Sequence, residues 1–114
     1  MIEPRTIVFE PDAVSALFEI LGIMSDQLME GNMLTRWDAE AVVGLQLRLS
    51  GLQEGEPVEI GIDDAALILD GMAFTEVMSV EFPFFEMVQW TSDFVTAELR
   101  AHWSDDLWLA YVGR

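Results

Sequence analysis

Between residues 12 and 31 the apolar positions recur with helical spacing. Projected at about 100° per residue, Ala13, Val14, Leu17, Phe18, Ile20, Leu21, Met24, Leu28 and Met29 fill about half of the wheel. Ser15, Glu19, Asp26 and Glu30 gather on the other side. The pattern predicts an amphipathic helix, capped by Asp12 and stopped by Gly31 with Asn32. A second helix is predicted over 36–50. Thr35 with Asp38 three residues later approximates a capping box, and Gly51 ends the run. Val43, Leu45, Leu47 and Leu49 also alternate with polar or small residues, as in a strand. The cap and the preceding Ala-Glu-Ala run favour helix.

The RTIVFEP stretch is short, β-branched and closed by Pro11, and Val58, Ile60 and Ile62 alternate within a glycine- and proline-rich acidic loop. Residues 6–9 and 58–62 are therefore expected to pair as a minor two-stranded β ribbon. A third helix is predicted from Asp63 or Asp64 to residue 79. Leu67, Ile68, Leu69, Met72, Phe74, Val77 and Met78 lie all around its wheel, which marks a central helix covered by its neighbours. Pro83 suits the first position of a fourth helix running to Trp103. Ser104 then caps a short last helix, with Asp105 and Asp106 placed favourably against its dipole. These elements define an all-α fold: a single domain over residues 1–114, built as a compact bundle of four or five helices with the minor ribbon.

Composition sharpens this picture. The 114 residues are 52% hydrophobic, enough for a core and far from a disordered composition. Twenty-one carboxylates face five basic residues, giving a formal net charge of −16. The basic residues are all arginines: Arg5, Arg36, Arg48, Arg100 and Arg114. None lies between Arg48 and Arg100, where eleven acids fall. Most of those acids are therefore expected to be solvated or bound to a cation or a basic partner. Direct nucleic-acid binding and attachment to an anionic membrane are excluded, because both need surplus Lys or Arg. Halophilic adaptation also yields acid-rich, lysine-poor chains, but the many Phe, Trp, Met, Leu and Ile residues suit an ordinary low-salt core. The chain has no cysteine, no run long enough for a membrane span and no signal-like beginning, so a cytoplasmic protein is expected.

Little catalytic chemistry survives inspection. Without lysine there is no Schiff base and no P-loop lysine. One histidine and no cysteine remove the common zinc sites, and no Glu-x-x-His pair supports a di-iron centre. No catalytic residue, metal ligand or cofactor is assigned. His102 could act as a base with Ser92 or Ser104 and Asp105 or Asp106, but a lone histidine near a helix end is far more often solvated or capping. Asp63–Asp64 and Asp105–Asp106 could hold Mg²⁺, which keeps a small carboxylate–Mg hydrolase as an alternative. Both pairs also stand where helices begin, and capping explains them without metal.

Two surfaces remain. With Phe84 at 0°, the apolar arc of the fourth helix runs from Trp90 and Phe94 through Met87 to Phe85, about 220°. One-sided packing needs only somewhat more than about 100°. Either the helix is sandwiched inside the monomer, or Phe84, Phe85, Met87, Trp90 and Phe94 form part of an apolar interface. Trp103, Trp108 and Tyr111 could extend that patch. The densest acidic segment is Glu54, Glu56, Glu59, Asp63 and Asp64, which reads as a solvated loop or a docking site for a basic protein. The leading expectation is a small acidic, non-enzymatic interaction domain, a homodimer that binds a basic protein partner. A DNA mimic or immunity-type inhibitor of a nucleic-acid-binding protein is its sharper form.

Overall fold

A computed structural model describes residues 2–31, 35–79 and 85–113, and the side chains of residues 78, 79 and 85–87 are outside that description. The element order is β1 (Arg5–Ile7), α1 (Pro11–Met29), α2 (Ala39–Ser50), β2 (Val58–Ile60), α3 (Ile62–Ser79), α4 (Phe85–Arg100) and α5 (Asp105–Tyr111). This is the expected helical bundle with a minor ribbon. Residues 43–50, open to a strand reading in sequence, belong to helix α2.

The helix starts show which local signals dominate. Pro11 occupies the first turn of α1 and Glu10 stands at the cap position without a side-chain bond. The expected cap, Asp12, instead lies inside the first turn, where its charge faces the helix dipole. In α2 the cap is Asp38, whose Oδ1 accepts from the Ala41 N–H at 2.8 Å. The helix therefore begins at Ala39 rather than 36, because Asp38 supplies the acceptor that Thr35 was expected to supply. At α3 the carboxylate of Asp64 reaches back to the Gly61 N–H at 2.9 Å, the reciprocal half of a capping box. Ser104 caps α5 as expected, accepting from the Leu107 N–H at 3.3 Å. The expected start of the fourth helix at Pro83 lies outside the described residues; its described part begins at Phe85.

The ribbon is antiparallel, with Arg5 opposite Ile60, Thr6 opposite Glu59 and Ile7 opposite Val58. It is shorter than the expected 6–9 and 58–62 pairing. Ile7 and Ile60 face the core while Thr6 and Glu59 face solvent, as strand alternation requires. Arg5 leaves the ribbon to donate to the His102 carbonyl at 3.0 Å, which ties β1 to the turn between α4 and α5.

Helix α3 is the central element, packed against α1, α4 and α5. Ala65, Ala66, Leu67, Ile68, Leu69 and Met72 are all buried, so successive residues around the wheel find cover on different sides. At Gly71 the α1–α3 crossing is close. A Cβ there would lie 3.1 Å from Met24 Sδ and 3.6 Å from Ile20 Cγ2. Near its C-terminal end α3 emerges again, with Val77 exposed.

The loop before α2 is pinned onto α3 by one carboxylate. Asp70 Oδ2 accepts from Trp37 Nε1 at 2.7 Å and stands 3.4 Å from Arg36 Nε. Asp70→Ala is expected to destabilise the fold by about 1–3 kcal/mol, because it leaves the half-buried indole N–H without its acceptor. Asp70→Asn should cost less, since the amide oxygen can still accept. Urea unfolding of both variants checks the order, and equal stability of Asp70→Ala and the parent chain would refute it.

Candidate functional site

Helix α4 divides into two faces. Val88, Thr91, Val95 and Leu99 are buried almost completely. At about 100° per residue they span only about 80° of the wheel. Trp90 and Phe94 lie outside that arc and remain 45% and 37% exposed. Their rings stack on each other, with centroids 5.4 Å apart and planes 14° from parallel. At Trp90 and Phe94, therefore, the neighbours of α4 do not enclose the helix completely. Phe84 lies outside the described residues. Phe85 and Met87 belong to α4, but their side chains are outside the description.

Trp103 and Trp108 do not extend the patch. Trp103 and Trp108 are 6% and 1% exposed, so both belong to the core. The turn at 101–104 breaks the helical phase, and the α4 wheel cannot be extended across it. Tyr111 stays exposed.

What joins Trp90 comes from α1. A groove of about 500 Å³ is lined, among the described residues, by Trp90 with Asp12, Ser15, Ala16 and Glu19. Asp12, Ser15 and Glu19 are exposed. Their spacing of three and four residues keeps them on one side of α1. Sequence reasoning placed Ser15 and Glu19 on the polar side of that helix but had no signal that this side borders Trp90. A second groove of about 420 Å³ passes over Met72, Thr96 and Trp108.

The five acids expected to act together take different roles. Asp64 is committed to structure: besides capping α3 it pairs with Arg48 at 2.8 Å. Arg48 also donates to the Glu59 carbonyl at 3.2 Å. Glu56 Oε2 closes a turn by accepting from the Gln53 N–H at 3.2 Å. The side chains of Glu54, Glu56, Glu59 and Asp63 remain exposed.

The described arginines are all engaged within the chain. Arg36 pairs with Asp70, Arg48 with Asp64 and Arg100 with Asp105, while Arg5 donates to the carbonyls of Glu3 and His102. Arg36, Arg5 and Arg100 also lie over the rings of Trp37, Trp103 and Trp108, at 4.7, 5.9 and 5.4 Å from the ring centroids. These contacts neutralise few of the carboxylates, so the exposed surface is overwhelmingly negative.

Three of the residues considered for catalysis have partners of their own. His102 Nε2 lies 3.7 Å from Glu98 one turn earlier, Ser104 caps α5, and Asp105 holds Arg100 at 2.9 Å. Among the described residues no group of three or more histidines and carboxylates is placed to hold a metal ion. No described helix is long and apolar enough to cross a membrane. No protein-family model, curated protein or solved structure matches the chain.

Proposed function

We propose that this protein is a cytoplasmic, non-catalytic interaction domain that docks a basic protein partner on the exposed flank of α4. The observation that carries the reading is the stacked Trp90–Phe94 pair beside the acidic side of α1. Large rings left at the surface next to carboxylates combine apolar contact area with a charge that selects the partner's sign. The exposed acids Glu54, Glu56, Glu59 and Asp63 add long-range attraction and raise the encounter rate.

A second copy of this chain is the competing occupant. Docking it on the same flank would set like charges face to face at Asp12 and Glu19. The two occupants respond oppositely to salt. Attraction to a basic partner weakens as the Debye length falls, whereas repulsion between two chains of charge −16 is relieved.

The test is a titration with a labelled, amphipathic helical peptide carrying arginine and leucine. Saturable one-to-one binding that weakens from about 0.05 to about 0.5 M salt supports the reading. A peptide of the same pattern with glutamate for arginine should not bind. Equal binding of both peptides, or self-association of the protein that strengthens with salt, would overturn it. If duplex DNA competes for a captured partner, that partner is itself a nucleic-acid-binding protein, and the domain acts as a mimic.

A further inference from the structure

The chain contains four tryptophans, and three of them carry one of its own arginines over the ring. Two of those arginines are simultaneously held by a carboxylate. Arg36 lies over Trp37 and pairs with Asp70. Arg100 lies over Trp108 and pairs with Asp105. The molecule thus builds the same unit twice: a guanidinium that lies over an indole and pairs with a carboxylate. Both contacts favour a planar, weakly hydrated cation over an ammonium.

Trp90 is the fourth tryptophan. It lines the groove with Asp12 and Glu19, so indole and carboxylates are again together. Among the described residues no arginine lies over it and neither carboxylate has an ion-pair partner. Phe94 stacks against the ring from one turn away and braces it. Arg5, Arg36, Arg48 and Arg100 are engaged elsewhere.

We propose that the groove between α1 and α4 binds an arginine side chain of the partner, with the guanidinium against Trp90 and charge-assisted hydrogen bonds to Asp12 and Glu19. This rests on the docking reading above and names the group that the site selects. The groove, at about 500 Å³, has room for the side chain and its flanking backbone. The aliphatic stem of arginine meets Ala16 and the indole, while its head meets the carboxylates.

The experiment uses the whole chain labelled with ¹⁵N and follows the indole N–H signals. N-acetyl-arginine methylamide is titrated in parallel with its citrulline analogue, which has nearly the same shape and no charge. The expected result is a saturable shift of the Trp90 signal, with a Kd of roughly millimolar size for so small a ligand. The citrulline analogue should bind at least about tenfold more weakly. Asp12→Asn with Glu19→Gln should weaken the arginine probe by a similar factor, while Glu40→Gln on α2 should not. Unchanged backbone signals away from the groove show that each variant is folded.

Equal responses to arginine and citrulline, or equal losses in Glu40→Gln and the double variant, would overturn the proposal. If the arginine probe fails but the basic helical peptide still needs Trp90 and Phe94, only this inference falls. If both fail, the docking reading falls with it.

Discussion

Trp108→Ala is expected to lower the unfolding free energy by about 3–5 kcal/mol, the usual range for deleting a large buried aromatic. Trp108 is 1% exposed and is the largest fully buried side chain among the described residues. It is also the main anchor of α5, a helix of seven residues that cannot persist without tertiary support. Its ring lies near Trp103, with centroids 6.4 Å apart, and under Arg100. The alanine variant therefore opens a cavity and weakens the hold on α5 and the turn that binds Arg5. A domain with a total stability of about 5–15 kcal/mol would be brought close to unfolding. Trp108→Phe, which keeps a ring in the site, should cost markedly less. Urea denaturation followed by circular dichroism measures both, and a loss below about 1 kcal/mol for the alanine variant would show that α5 is not anchored this way.

The opposite balance is expected at the exposed flank. Trp90→Ala combined with Phe94→Ala should weaken binding of the basic helical peptide by at least about thirtyfold, the effect of losing a hot spot worth about 2 kcal/mol or more. Stability should fall by no more than about 2 kcal/mol, because both residues are already partly solvated, at 45% and 37% exposed, and lie outside the buried arc of α4. The buried positions Val95 and Leu99 would behave the other way, with truncation costing stability first. Parallel measurement of peptide affinity and urea midpoints separates the two kinds of loss. A double variant that unfolds as readily as Trp108→Ala would mean that Trp90 and Phe94 are core residues after all.

The helices were legible because their apolar spacing is local and survives without knowledge of neighbours. The pairing of β1 with β2 was also legible, since two short alternating segments offered themselves as partners. Capping was less so. Thr35 and Asp38 are both competent caps three residues apart, and only the path of the loop, pinned through Trp37 and Asp70, decides for Asp38. The all-round apolar wheel of α3 correctly marked its central place, because such a helix has no face to give to water. The width of the α4 apolar arc identified a helix with surface to spare. It could not show which flank stays open, since that depends on which neighbours lie beside it.

The groove was not legible at all. Asp12 and Glu19 precede Trp90 by more than seventy residues, and their proximity is produced by the packing of α1 on α4. The same holds for the Arg36–Asp70 and Arg48–Asp64 pairs, which join separate elements. Trp103 and Trp108 were grouped with the exposed aromatics because they are near in sequence. The turn at Ser104 reverses that expectation by turning the chain back over the core.

The most direct measurement is the affinity of the basic amphipathic peptide for the wild-type chain and for the Trp90→Ala, Phe94→Ala double variant across a salt series. The account predicts tight one-to-one binding to the wild type, a loss of at least about thirtyfold in the double variant, and weakening of both as salt rises from about 0.05 to about 0.5 M. Identical affinities for the two proteins would contradict it, because attraction would then come from net charge alone and the aromatic flank would have no part in it.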